Sequence, residues 1–440
     1  MSNKTISNFM TFIQNSPSCF HAVEELRKEF HKEGFVQLFE SKQWKLEKGG
    51  KYYVIRNGSS IISFTIGEEI QEEYSFQICA SHSDSPTYKL KENAFLDVRG
   101  KYTQLNTEGY GGMIASTWMD RPLSIAGRAL VNTDAGCVVK LVDFKKDMVL
   151  IPNVAIHMNR EINSGYKYNA QVDMLPLYGG TNKEKETFLD VLAKELQVDA
   201  KDILGNDLYL YNRNHPSIWG SEEDYISAPK LDDLECAYTT MLGFLHSKNP
   251  KNINVYACFD NEEVGSGTKQ GADSTLLFDV LTRINRCLGY SEEQLRCAFA
   301  NSFMLSADNA HALHPNHPEK SDANHAVYMN EGIVVKFNAN QKYTTDALSK
   351  GLFQAICNRV EVPLQYFANR SDMQGGSTLG NISTAHVSIH TVDIGLAQLA
   401  MHSSYETAGC KDIDYMIKAV QEFYSSYIRE DDQHRVNLYR

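Results

Sequence analysis

Residues 252–267 read NINVYACFDNEEVGSG. The first half is an apolar run of strand length that mixes β-branched and aromatic residues, and it predicts a strand buried on both faces. The run ends in Asp260, Glu262 and Glu263, three carboxylates within four positions, and then in glycines. A strand with two apolar faces belongs to a mostly parallel sheet covered by helices. In such open sheets the working crevice lies outside the carboxyl ends of the strands. One stretch therefore predicts a fold class and the place where its chemistry sits.

The rhythm extends on both sides. Toward the C-terminus come a helical pattern at 274–289 (STLLFDVLTRINRCLG), a strand at 302–308 (SFMLSAD), a helix at 344–360, a strand at 385–395 (AHVSIHTVDIG) and a helix at 412–428. Toward the N-terminus, residues 18–35 carry apolar residues at helical spacing (Phe20, Val23, Leu26, Phe30) before Gly34, and 74–86 reads as a buried strand that opens into a polar loop at His82. Between about 95 and 220 the texture changes to short β-rich runs (123–131, 136–144, 148–158) broken by turns, with one helical stretch at 185–198. The simplest layout is an α/β unit with helices on both faces of its sheet, formed by residues 1–94 and 222–440, interrupted by a β-rich unit at 95–221.

Composition narrows the partners. The 440 residues carry a net charge of −12, which disfavours nucleic acid and anionic membranes. No apolar run approaches the roughly twenty residues that a spanning helix needs. The N-terminal stretch lacks a basic segment followed by a long apolar one. Nine scattered cysteines without a C-x-x-C pair suit reduced thiols, so a cytoplasmic location is expected.

The candidate chemical residues fall at strand ends or helix starts: His82 and Asp84, Asp232 and Asp233, Glu262 and Glu263, Asp308, and His402. On the α/β reading these five places converge on one sheet edge. Clustered carboxylates must take up protons unless a cation lies among them. Two histidines with three carboxylates suit zinc, manganese or cobalt better than calcium. Two such ions commonly share a bridging carboxylate, and of two adjacent glutamates one can ligate while the other serves as general base.

With those residues in hand, the chain resembles the M18 family of metalloaminopeptidases, the aspartyl aminopeptidase family. The ordered set of motifs carries the resemblance: SPSCFHAVEEL (16–26), ASHSDSPTYKLK (80–91), YGGMIASTWMDRPLSIAGR (110–128), IPNVAIHMNR (151–160), APKLDDLECAY (228–238), FDNEEVGSGTKQGADS (259–274), SADNAHALHPNHPEK (306–320), RSDMQGGSTLG (370–380) and TVDIGLAQLAMHSSYE (391–406). The resemblance implies the fold of dinuclear-metal exopeptidases with an inserted β-rich dimerisation domain. It also implies two divalent ions per subunit, zinc first and manganese or cobalt next. His82 and Asp308 would bind one ion, Glu263 and His402 the other, and Asp232 would bridge them. Glu262 would be the general base, and Asp84 would complete the catalytic set by orienting His82. His157 would reach a neighbouring subunit's site, and Lys336, with His314, would line the substrate pocket. Family members build dimers into tetrahedral dodecamers, so peptide substrates and self-association are expected.

The chain departs from the family pattern at Asn261, where a histidine is usual, at Asp233, where an asparagine is usual, and at Tyr405, where an arginine is usual. None is a proposed ligand, so the expected activity is removal of an acidic or neutral N-terminal residue. Two alternatives stand beside it: a dinuclear hydrolase of N-acyl amino acids, and a catalytically weakened oligomeric scaffold. The histidine tract at 311–325 and the glycine-rich segment at 371–380 are read first as loop structure.

Overall fold

The computed structural model describes residues 3–182, 186–432 and 435–440. Its centre is a nine-stranded sheet whose order is Val36–Leu38, Lys51–Arg56, Ser60–Ile66, Ile253–Phe259, Phe76–His82, Phe303–Ala307, His390–Gly395, Ile333–Phe337 and Leu364–Ala368. The four strands Ile253–Phe259, Phe76–His82, Phe303–Ala307 and His390–Gly395 run parallel. Antiparallel pairs stand on either side of them.

The strand Ile253–Phe259 is buried at all seven positions. Its side chains alternate between two cores. Tyr256 and Cys258 join one with the helices Cys19–Lys32, Leu231–His246, Ala347–Arg359 and Cys410–Tyr424, while Val255 and Ala257 join another with Leu276–Cys287 and Glu292–Ala300. A period of two with both faces apolar is what a helix-covered sheet requires. The chain is thus an α/β protein with an additional β sheet.

That additional sheet has six strands, all pairing antiparallel, built between Thr87 and Asn212 around Leu105, Leu123, Ile125, Leu208 and Leu210. It begins before the change of texture at 95: its long strand runs Thr87–Val98, with Lys89, Lys91 and Glu92 in its first half. Lys89 there is held by Asp207 at 2.8 Å. The run 148–158 is not a full strand. It makes bridges at Val149, Leu150 and Ile151 and then turns. The helical pattern at 185–198 is the helix Phe188–Leu196; Lys185 lies outside the described residues. Residues 385–389 precede the strand His390–Gly395, following a short helix Leu379–Ser383.

Candidate metal centre

Register brings the candidates together. Phe259 pairs with His82, so Glu262 and Glu263, in the turn Glu262–Val264, emerge beside His82. Ala307 pairs with Ile394, which sets Asp308 at the same edge. Gly395 permits this approach, since a Cβ there would lie 1.9 Å from the Asp308 carbonyl oxygen. Asp232 opens the helix Leu231–His246, and His402 lies between the short strands Ala397–Leu399 and Glu406–Gly409.

Asp232 sits between the two histidines. Its Oδ1 is 3.4 Å from His82 Nε2, and its Oδ2 is 3.4 Å from His402 Nε2. His402 Nε2 is also 3.4 Å from Glu263 Oε2. Three overlapping groups have ligand atoms all within 4.8 Å of one another: His82, Asp232, Asp233 and Asp308; His82, Glu262 and Glu263; and Asp232, Glu263 and His402. Asp232 Oδ1, Asp233 Oδ1 and Glu263 Oε1 are buried without a hydrogen-bond partner. Buried anionic oxygens without donors are costly, and a cation satisfies them. Imidazole nitrogens and carboxylate oxygens suit zinc and its neighbours, so the residues fit a divalent metal.

The electrostatics agree. Burial pushes the Glu262 carboxyl up to about 8, with Asp308, Asp84 and Asp232 adding to it and His82 opposing. Burial likewise lifts Glu263 and Asp233 well above the usual carboxylate range, and Asp308 above its ordinary value. Burial works against the charged forms of His82 and His402, yet the surrounding carboxylates raise both. Burial would raise Asp232 as well, but the imidazoles of His402 and His82 beside it hold it below the usual range. A cluster with these tendencies takes up protons when no cation is bound.

A shell of hydrogen bonds fixes the ligand-bearing backbone. Asp84 accepts from the Tyr110 hydroxyl at 2.6 Å and from the backbone N–H groups of Glu262 and Glu263, each at 3.2 Å. His82 Nδ1 donates to the Asp84 carbonyl at 3.1 Å, which leaves Nε2 free to ligate. Glu406 accepts from the backbone N–H groups of His402 at 2.6 Å and Asp232 at 3.0 Å. Asp233 accepts from the backbone N–H of His82 at 3.0 Å. Asn261, at φ 63°, donates to the Tyr110 oxygen at 2.8 Å and accepts from Thr268 and Gln270.

His82, Asp84, Asp232, Glu262, Glu263, Asp308 and His402 therefore meet at one place. Lys336 is buried against it: its ammonium donates to the Asn309 carbonyl at 2.8 Å and stands 3.6 Å from Asp308 Oδ2. His314 lines a neighbouring cavity. His157 lies on an exposed segment of the inserted sheet's connections, where Ile156 and Met158 are also exposed, and none of its described contacts joins it to the centre. Tyr405 turns away, its hydroxyl donating to the His215 carbonyl at 2.6 Å. The supporting roles of Tyr110 and Glu406 were not read from sequence. Local sequence carries no signal for either, because their bonds join distant segments.

The chain is similar to known proteins over nearly its whole length. Residues 12–424 match the family described as aminopeptidase I zinc metalloprotease (M18). The chain is 45 % identical over 427 residues to a probable M18 family aminopeptidase 2 of Clostridium novyi, covering 96 % of this chain and 99 % of that one. The structure of Ape4 in complex with Nbr1 superposes with a TM-score of 0.92 at 33 % identity, covering 97 % of this chain and 87 % of that chain. The S. cerevesiae mApe1 dodecamer superposes with a TM-score of 0.84 at 29 % identity, covering 96 % of each.

Proposed function

This chain belongs to the M18 family of zinc metalloproteases and is a metal-dependent aminopeptidase, and from that premise we propose the part each residue plays. The observation that carries the proposal is the Asp232 carboxylate, one oxygen toward His82 and the other toward His402. On this reading Asp232 would be shared by two divalent ions, one held with His82 and Asp308 and the other with Glu263 and His402, with zinc the first expectation and manganese or cobalt the next. Such ions lower the pKa of a bound water toward neutrality and polarise a carbonyl.

The chain's own groups supply the rest. Glu262 is the one glutamate of the pair left for proton transfer; its partial exposure opens it to substrate, and its carboxylate can take a proton from water and return it to the leaving amine. Asp84 holds the His82 ring and, through the two backbone N–H groups, the glutamate turn. Lys336 steadies Asp308, and the proposal assigns it with His314 to the substrate side. A substrate's free α-amine would be drawn to this dense group of carboxylates, which supports removal of one residue at a time.

The same proposal treats residues 1–94 and 222–440 as the catalytic unit and 95–221 as an inserted dimerisation unit, supported by the separate core of the six-stranded sheet. Exposed Val138 and Val139 on that sheet, and Val154, Ile156 and Met158 beyond it, offer apolar surface for self-association. The dodecamer named for the mApe1 structure supports a dodecamer here; the proposal arranges it tetrahedrally, with His157 serving a neighbouring site. Among the described residues no helix is long and apolar enough to cross a membrane; the free cysteines support the proposed cytoplasmic location. The readings as an N-acyl amino acid hydrolase or a scaffold find no support among the relatives.

The test is to strip the protein with chelator, restore zinc, manganese or cobalt singly, count bound ions and assay short peptides with free or acylated N-termini. Two ions per subunit with cleavage only of free N-termini is the expected result. One ion at full activity would overturn the bridging role of Asp232.

A further inference from the structure

The loop that carries His402 is tied to the inserted six-stranded sheet. Ser404, two residues after His402, is 3 % exposed, and all three of its polar groups are bonded to that sheet or its connections. Its backbone N–H donates to the Thr117 hydroxyl at 2.9 Å, its own hydroxyl donates to the Thr117 carbonyl, and its carbonyl accepts from the Asn212 side-chain amide at 2.9 Å. The His402 carbonyl accepts from the Ile114 N–H at 3.0 Å.

Ile114 and Thr117 lie on a strap, residues 111–118, that leads from the strand Tyr102–Tyr110 into the short helical turn Ala115–Trp118. The far end of the strap is anchored. Trp118 is buried in the core of the six-stranded sheet and meets Tyr88 edge-on at 5.5 Å. The Thr117 hydroxyl also donates to the Ile114 carbonyl at 2.7 Å, which closes the strap on itself. At the near end Gly111, at φ 73°, passes against Glu263: a Cβ there would lie 3.1 Å from the Glu263 Cβ and 3.4 Å from its carbonyl oxygen. The strap thus touches both Glu263 and His402, the two residues proposed for the second ion alone. The residues proposed for the first ion are fixed by other means. The Asp308 N–H donates to the Ile394 carbonyl at 3.0 Å on the nine-stranded sheet, and the His82 N–H donates to Asp233 at 3.0 Å.

We propose, on the two-ion reading above, that Thr117 and Ser404 form a clasp through which the inserted sheet positions His402, and that this clasp sets the affinity of the ion held by Glu263 and His402 but not that of the ion held by His82 and Asp308. Thr117 and Ser404 touch neither ion nor any reacting atom, so they are positioning residues. The loop needs such ties. His402 has φ 65° and Ala400 has φ 56°, the left-handed region that residues with a side chain adopt only where surrounding contacts hold them. Glu406 holds the His402 N–H, and the strap holds the His402 carbonyl and the backbone that follows it. With the strap bonds cut, the loop can relax toward ordinary backbone angles and carry the imidazole away from Asp232 and Glu263. Loss of a group that orients a metal ligand typically weakens metal binding about 10–100-fold.

The experiment loads the unaltered enzyme, Thr117→Val, Thr117→Ser and Ser404→Ala with zinc, withdraws it with graded chelator and counts the ions that remain at each step. Thr117→Val keeps the shape of the side chain but removes the acceptor of the Ser404 N–H. One of its two ions should bind about 10–100-fold more weakly, while the other stays within about two-fold of the unaltered enzyme. Ser404→Ala should weaken one ion in the same way. Thr117→Ser puts the hydroxyl back and should restore affinity to within about three-fold. The weakened ion is identified in a His402→Ala background, where adding Thr117→Val should weaken the remaining ion no further. Equal weakening of both ions, no weakening of either, or a Thr117→Ser enzyme as weak as Thr117→Val would overturn the clasp and leave the two-ion enzyme standing. Hydrogen exchange on the unaltered full-length chain, stripped of metal, needs no variant: the amides of residues 400–405 should exchange as slowly as those of the short strands on either side, and exchange at the rate of an open loop would also overturn the clasp. A single ion per subunit in the unaltered enzyme would instead overturn the two-ion reading, and this proposal with it.

Discussion

Tyr110 donates its phenolic proton to Asp84 across 2.6 Å, and that bond ties the six-stranded sheet to the edge of the nine-stranded one. The direction of the bond is fixed by a neighbour. Asn261 donates its amide N–H to the Tyr110 oxygen, so the tyrosine proton is free to go to Asp84. Asp84 in turn holds His82 and the backbone of both Glu262 and Glu263. The asparagine where the family usually has histidine thus keeps a donor in place beside the centre.

Tyr110→Phe removes that donor and changes little else, because Asp84 keeps its contacts with His82 and the glutamate turn. Metal affinity should fall about 10–100-fold, as is typical when a group supporting a metal ligand is lost. Competition with a chelator, followed by an assay at saturating metal, separates weaker binding from slower turnover. An unchanged affinity would reduce Tyr110 to a packing role.

Glu262→Gln tests the general base. Its backbone N–H still reaches Asp84, so the turn and the bound metal should remain. The carboxyl that carries the proton is gone, and the rate should drop by about two to four decades. Metal content by elemental analysis and kcat under saturating substrate are the two readouts. Full activity with intact metal would remove Glu262 from the reaction.

Glu406→Gln should loosen both His402 and Asp232 at once. The carboxylate is 2 % exposed and accepts one backbone N–H from His402 and another from Asp232, residues far apart in the chain. A carboxamide can accept at one of these positions but presents an NH₂ to the other. A buried donor left unsatisfied costs on the order of 1–3 kcal/mol. The variant should melt lower and lose metal more readily during gel filtration than the unaltered enzyme. Equal melting points and equal metal retention would show that the loop carrying His402 is held by other contacts.

Much of this site was legible from local pattern. The run at 253–259 is buried throughout, so its apolar continuity announced a covered strand, and the carboxylates at its end marked the crevice. Asp308 was visible for the same reason, closing the buried strand Phe303–Ala307. What escaped depends on contacts between distant segments. Tyr110 is 26 residues from Asp84, and nothing in its neighbours says where its hydroxyl goes. Lys336 reads as a pocket cation, but only the packed structure shows its ammonium bound to the Asn309 carbonyl beside Asp308. The five-stranded sheet that carries His402 is made of strands of two to four residues, too short for any periodicity to register. The helix Glu292–Ala300 did leave a signal, a capping box from Ser291 to Gln294, that a search for helix starts would find.

Removal of the metal should make stability fall as pH rises. In the metal-free fold Glu262 is lifted from its ordinary value of 4.5 to about 8 by burial and by neighbouring carboxylates, with Asp233, Glu263 and Asp308 lifted for the same causes. Such groups stay protonated in the folded chain where the unfolded chain has already released its protons. The folded state then binds more protons, and stability declines with pH. For Glu262 the contribution is complete below about 4.5 and is lost as pH climbs through about 8. His82 and His402, raised above 6.5, act with the same sign, losing their contribution above that value. Asp232, held low, acts oppositely, but its contribution is lost only below the ordinary carboxylate value of 3.8, outside this window. In the loaded enzyme cations take the place of those protons, and acid competes with metal, so the slope should flatten or reverse. Calorimetric melting points of stripped and loaded protein between about pH 5 and 8.5 should therefore diverge as pH rises, the stripped form falling. A stripped form that grows more stable over the same range would mean that some other cation, fixed in the fold, already neutralises the carboxylates at the sheet edge.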